Sequence, residues 1–263
     1  VRMYARCGSL MEACSLFDSL QEQTIILWNV MIAAYVESGL ATEALACFAV
    51  MQYQGFLPDG ITFLYILNVY GSVKDKNKGF ELHAEVSKRG LDQHVIDNAL
   101  VSMYAGCDLL PEAENMLQKL PRHTSVPWAT LIAAQVEYGN SEEAIEVYEH
   151  MQLDGVFPDA TSFLCSLKAC TAIAAIDKGR EIHNEIIKRG MLTNDRSTQS
   201  TLVAFYIKLG LLVDAYKLLD GVTAQDHVSW TAVIKGYMDA GYYEQALDCF
   251  WHIKREGIPL DGV

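Results

Sequence analysis

The sequence predicts an all-α chain, a superhelical solenoid of tandem helix-turn-helix units, and three observations carry that prediction. Trp28, Trp128 and Trp230 lie 100 and 102 residues apart, each inside a closely similar stretch. Within each stretch apolar residues recur at helical spacing: Trp28, Met31, Ile32 and Tyr35 fall at i, i+3, i+4 and i+7. Each stretch breaks at a glycine (Gly39, Gly139, Gly241), where a helix must end and the chain reverse. One such hairpin cannot bury its apolar face alone, whereas stacked neighbours share a continuous core.

Each element follows in order. The opening VRMYARCGSLMEACSLFDSL is a clipped copy of a unit that returns as NALVSMYAGCDLLPEAENMLQKL and STLVAFYIKLGLLVDAYKLLDGV. The tryptophan unit reads WNVMIAAYVESGLATEALACF, WATLIAAQVEYGNSEEAIEVY and WTAVIKGYMDAGYYEQALDCF. Its second helix places Leu45, Phe48 and Met51 on one side before Gly55 and Pro58 stop it. A third unit, TFLYILNVYGSVKDKNKGFELHAEVSKRG, returns 100 residues on as SFLCSLKACTAIAAIDKGREIHNEIIKRG. The small residues Ala33, Ala34, Ala133, Ala134 and Gly236 suit close helix approach.

Composition excludes several classes. A chain 51% hydrophobic and 20% charged is not disordered. Its longest early apolar stretch is interrupted by Asn29 and too short to cross a bilayer, so no membrane partner is expected. The seven cysteines form no CxxC pair and fall at apolar helical positions, as buried thiols of a reducing compartment do. The chain opens at Val1 inside an amphipathic pattern and reads as an excerpt, without a targeting segment of its own. The formal charge is −13, and no lysine or arginine occurs between Arg6 and Lys74 or between Arg122 and Lys168.

These residues resemble the pentatricopeptide repeat proteins of plant organelles, in the variant that mixes standard, long and short repeats. WNVMIAAYVESG, the EAL..F..M...G..PD tail, KACTAIAAIDKGREIHNEIIKRG and MYARCGSLMEA carry the likeness across the whole chain. In that frame the repeats run 1–24 (short, clipped), 25–59 (standard), 60–93 (long), 94–124 (short), 125–159 (standard), 160–195 (long), 196–226 (short) and 227–261 (standard). The resemblance implies a right-handed superhelix in a mitochondrion or chloroplast, with first helices lining a groove that holds single-stranded RNA of organellar transcripts. It implies one base per repeat, read by the fifth and last residues.

Carried over, that rule assigns Asn29 with Asp59 as a uridine-preferring pair and Thr231 with Asp261 as a guanine-preferring pair. The central standard repeat offers Ala129 with Asp159, and alanine supplies no hydrogen bond. The short repeats offer Asn98 with Thr124 and Ser200 with Asp226, without a firm base assignment. Leu64 and Leu164 take the fifth position of the long repeats, where packing is the expected role. Asp59, Asp159 and Asp261 each also suit an N-cap for a following helix. The tryptophans read as core rather than base-stacking residues. Lys168, Lys208 and Lys235 fall on first helices and supply local positive charge; Lys178, Lys188 and Arg189 fall on second helices.

No catalytic centre is expected. His83–Ala84–Glu85 and His183–Asn184–Glu185 match half of a zinc deaminase signature, but no P-C-x-x-C follows either. No metal, cofactor or small-molecule substrate is expected. The mixed repeat arrangement points to recognition of a site for C-to-U editing or other RNA processing, with chemistry supplied by a deaminase-like domain elsewhere or by editing-complex proteins. The rival function is a protein-binding helical scaffold, which the acidic charge favours.

Overall fold

The computed structural model describes residues 3–4, 9–20, 22–90, 93–120, 124–192, 195–220 and 227–255. Among these, fifteen α-helices follow one another and no strand occurs. None of the helices is long and apolar enough to cross a membrane. The chain forms two compact units, Val1–Ala134 and Gln135–Val263. The first holds α1 (Leu10–Ser19), α2 (Ile25–Glu37), α3 (Ala41–Tyr53), α4 (Gly60–Val73), α5 (Lys76–Arg89), α6 (Gln93–Gly106) and α7 (Leu110–Lys119). Helix α8 (Val126–Glu137) spans the boundary. The second unit holds α9 (Ser141–Leu153), α10 (Ala160–Ala172), α11 (Ile176–Lys188), α12 (Arg196–Lys208), α13 (Leu212–Asp220), α14 (His227–Asp239) and α15 (Tyr243–Arg255).

Successive helices pair as hairpins, α2 with α3, α4 with α5 and α6 with α7 in the first unit. In the second, α10 pairs with α11, α12 with α13 and α14 with α15. First helices also stack directly, α2 on α4 on α6 and α10 on α12 on α14. The apolar spacing of α2 explains its placement: Trp28, Met31 and Ile32 are buried, and half-buried Tyr35 meets Cys14 of α1 at 3.0 Å from hydroxyl to Sγ. Phe48 and Met51 of α3 are buried with them.

The hairpin turns share one hydrogen-bond pattern. After α2, the Gly39 N–H donates to the Val36 carbonyl at 3.0 Å and the Leu40 N–H to the Tyr35 carbonyl at 2.9 Å. The same two bonds recur at Gly139 and Asn140 and at Gly241 and Tyr242. This is a Schellman closure, which needs a left-handed residue, and Gly39, Gly139 and Gly241 have φ of 72°, 83° and 79°. Other turns lack the glycine: Lys74, Asp108 and Ala174 adopt φ of 58°, 58° and 55°.

Stacking of first helices differs between the units. In the first, a Cβ on Gly106 would lie 2.7 Å from the Gly71 carbonyl oxygen, so α4 and α6 touch backbone to backbone. The residues that correspond in the second unit are Thr171 and Lys208, and a cavity of about 560 Å3 lies there between α10 and α12. The cysteines are less uniformly buried than their spacing suggests. Cys107, Cys170 and Cys249 are buried, but Cys14, Cys47 and Cys165 are half-buried because they sit at the edges of the apolar stripes.

Candidate nucleic-acid interface

Asn29 and Asp59 meet. Asn29 lies one turn into α2, and Asp59 N-caps α4, which packs against α2. The Asn29 Nδ2 donates to Asp59 Oδ1 at 2.9 Å and to Oδ2 at 3.1 Å. Thr62, fully buried in the first turn of α4, donates from Oγ1 to Asn29 Oδ1 at 2.6 Å. The Thr62 N–H donates to Asp59 Oδ1 at 2.9 Å, and the Asp59 N–H donates to Thr62 Oγ1 at 3.2 Å, closing a capping box. Asn29 is 6% exposed, so a ligand meets mainly the edge it shares with half-buried Asp59. Burial pushes the Asp59 carboxyl up, but the Thr62 N–H, the Asn29 amide, the Thr62 hydroxyl and the Ile61 N–H outweigh it and hold its pKa below the ordinary value. The carboxylate that the resemblance assigns to base contact is the one that caps α4.

The other assigned residues are less closely joined. Asp159 caps α10, accepting from the Ser162 N–H at 2.8 Å and the Ser162 hydroxyl at 2.9 Å. Ala129 is buried in α8. Asn98 is half-buried in α6, its carbonyl accepting from the Ser102 hydroxyl, and Thr124 is exposed. Ser200 is half-buried in α12 and donates to the Ser197 carbonyl at 3.1 Å. Thr231 is half-buried in α14. Asp226 and Asp261 lie outside the described residues.

Sequence reasoning missed a second recurrent feature. Ile26, Val126 and Val228, three residues before Asn29, Ala129 and Thr231, are 74%, 60% and 60% exposed. Ile61, three residues before Leu64, is also exposed. The signal was legible as a β-branched aliphatic off the apolar stripe of each first helix. Residues at i and i+3 share a helix side, so each sets an apolar surface beside the assigned fifth residue.

Several cations of second helices are paired: Lys78 with Glu81, Arg89 with Glu85, Lys178 with Glu149 and Glu181, Arg180 with Asp214, and Arg189 with Glu185. Lys168 and Lys208 line the cavity between α10 and α12 with Thr171, Ser200, Thr201 and Ala204. Among the described residues neither lysine has an acidic partner within ion-pair distance. Lys235 is exposed on α14.

Trp28, Trp128 and Trp230 and the histidines His83 and His183 serve the packing. Trp28 and Trp230 are 3% and 2% exposed, and Trp28 meets Phe17 edge-on at 4.7 Å between ring centroids. His83 Nδ1 lies 2.5 Å from the Tyr104 hydroxyl, and His183 Nδ1 lies 2.7 Å from the Tyr206 hydroxyl. Glu85 and Glu185, which complete the half-signatures, are held by Arg89 and Arg189. The two histidine–tyrosine contacts join α5 to α6 and α11 to α12.

The family model for the PPR repeat matches residues 1–25, 26–56, 126–156 and 228–258. The chain carries pentatricopeptide repeats. A chloroplastic pentatricopeptide repeat-containing protein of Arabidopsis thaliana is 31% identical over 98% of the chain, and a mitochondrial one is 30% identical over 98%. The chain spans 42% of the first relative's length and 25% of the second's. The fold resembles the maize pentatricopeptide repeat protein PPR10, with a TM-score of 0.56 at 18% identity over 92% of this chain and 40% of that one. PPR10 in complex with an 18-nt psaJ RNA element matches with a TM-score of 0.55 at 20% identity, over 97% of this chain and 44% of that one.

Proposed function

We propose that this chain binds single-stranded RNA in base-dependent register and marks a site in an organellar transcript for C-to-U editing or other processing. The observation that carries the reading is the contact of Asn29 with Asp59, which joins the fifth and last residues of one repeat through two polar contacts. A single amide hydrogen shared between the carboxylate oxygens leaves the second Nδ2 hydrogen for a base acceptor. The exposed aliphatics at 26, 61, 126 and 228 offer apolar faces for neighbouring bases. Lys168 and Lys208 supply cationic contact for the backbone on an otherwise acidic chain.

In the proposed register the repeats run 25–59, 60–93, 94–124, 125–159, 160–195, 196–226 and 227–261, after a clipped unit at 1–24. Asn29 with Asp59 reads uridine, and Thr231 with Asp261 reads guanine six positions further along. The mixed repeats favour editing, with editing-complex proteins as further partners and a mitochondrion or chloroplast as the compartment. Relatives named as chloroplastic and mitochondrial support that placement.

A protein-binding scaffold is the second reading, favoured by the charge of −13 and by exposed Tyr53, Leu57, Leu153 and Phe157 at matching positions of two repeats. Selection of bound sequences from a random single-stranded RNA pool, at low and moderate salt, separates the two. Uridine and guanine enriched six positions apart, and exchanged in N29T/T231N, is the expected result. No enrichment at either salt overturns RNA readout in favour of the scaffold.

A further inference from the structure

We infer that Thr62 is a positioning residue for base selection by Asn29, acting from the repeat after the one that reads the base. The inference rests on the RNA-binding reading and adds a residue to it. An asparagine amide presents a donor and an acceptor, and unrestrained rotation about its last torsion exchanges them. Such a side chain accepts uracil, whose O4 is an acceptor, about as readily as cytosine, whose N4 is a donor. Selectivity therefore requires that the amide be fixed.

Two contacts fix it. The Asp59 carboxylate takes the Nδ2 side, at 2.9 and 3.1 Å, and repels the carbonyl oxygen from that side. The Thr62 hydroxyl takes the opposite side, 2.6 Å from Oδ1. The same hydroxyl lies 2.9 Å from Asp59 Oδ1, but it has one hydrogen, and the shorter contact is to Asn29. With the amide kept from flipping by Asp59 on Nδ2 and Thr62 on Oδ1, the hydrogen Asn29 has left for a base is its second Nδ2 hydrogen. That edge suits uracil O4 and opposes cytosine N4.

Thr62 is well placed for this because it is immobile. It is fully buried, sits in the first turn of α4, and is held by the capping box that Asp59 requires in any case. The central repeat shows the cap without the lock. Ser162 donates its N–H and its hydroxyl to Asp159, but the fifth residue there is Ala129, which has no amide to orient.

The test compares T62V, T62S and S162A with the wild-type chain, using short single-stranded RNAs that differ only by uridine or cytosine at the position addressed by Asn29. Thermal midpoints are recorded for every variant. T62V keeps the shape and removes the hydroxyl, and is expected to reduce the uridine-to-cytosine affinity ratio about fivefold. T62S restores the hydroxyl and the ratio. S162A lowers the midpoint through the loss of its own hydroxyl contact but leaves the ratio unchanged. In an N29A background, T62V no longer alters the ratio. If T62V does not fold, T62A takes its place in every arm. A T62V ratio equal to wild type, or one changed equally by S162A, overturns the inference while RNA binding stands. A wild-type chain with no base preference at any position overturns the RNA reading, and this inference with it.

Discussion

His183 Nδ1 lies 2.7 Å from the Tyr206 hydroxyl, while its buried Nε2 has no hydrogen-bond partner among the described residues. His83 and Tyr104 repeat the pairing at 2.5 Å. Burial pushes both imidazoles below their ordinary pKa; Lys119 adds to the effect at His83, whereas Asp97 opposes it there and Asp214 opposes it at His183. A lowered folded-state pKa means that the unfolded chain binds protons first. The stability associated with neutral histidine is therefore complete above an unfolded pKa of about 6.5 and is lost as pH falls through the folded value. Urea unfolding at pH 7.5, 6.5 and 5.5 is expected to show a midpoint that declines below pH 6.5. In H83Q/H183Q that decline is expected to be shallower, with a lower midpoint at pH 7.5 from the lost tyrosine contacts. Equal declines in the two proteins would show that other groups govern the response.

Lys168 and Lys208 share a cavity because the residues facing each other there, Thr171 and Lys208, replace the glycines that let α4 and α6 touch. If the two ammonium groups meet RNA phosphates, K168Q/K208Q should flatten the dependence of log affinity on log salt. The expected reduction in slope is about 1.4, from about 0.7 per phosphate contact on a single strand. Base preference should be unchanged, because phosphate contacts carry no sequence information. Titrations between low and moderate salt measure both quantities, and an unaltered slope would remove these lysines from the interface.

Much of this was legible in the sequence, for identifiable reasons. The 3.6-residue spacing of Trp28, Met31 and Ile32 placed the core side of α2, and Gly39, Gly139 and Gly241 marked three turns. Asp59 and Asp159 were legible as caps because the residue type and its place before a helix suffice. The lock on Asn29 was not, since Thr62 lies 33 residues away and the contact exists only once α4 packs on α2. The histidine–tyrosine pairs, 21 and 23 residues apart, were hidden for the same reason. Turns at Lys74, Asp108 and Ala174 carried no glycine to announce them.

Ala174 pays for that turn in backbone strain. Its φ is 55°, a region where a Cβ crowds the following carbonyl, and the residue is exposed, so its methyl packs against little. A174G removes the strain but gives the unfolded chain more freedom. The net expectation is a gain of about 0.5–1 kcal/mol, measured as a higher urea midpoint with an unchanged m-value. A loss of stability would mean that the Ala174 side chain contributes a contact worth more than the strain.

Gly179 and Gly79 occupy matching places in α11 and α5, yet their neighbours differ. A Cβ on Gly179 would overlap ring carbons of Phe205, whereas one on Gly79 would come 2.5 Å from Sδ of Met103. An aromatic ring in a packed core has no conformer that vacates the space locally, but a methionine side chain can rotate away. G179A is therefore expected to cost about 1–3 kcal/mol, and G79A less than G179A. The double variant G179A/F205M places methionine opposite the new methyl, as in the first unit, and should recover part of the loss. Chemical denaturation of the four chains yields the coupling between residues 179 and 205. Additive costs would show that Phe205 is not what excludes a side chain at 179.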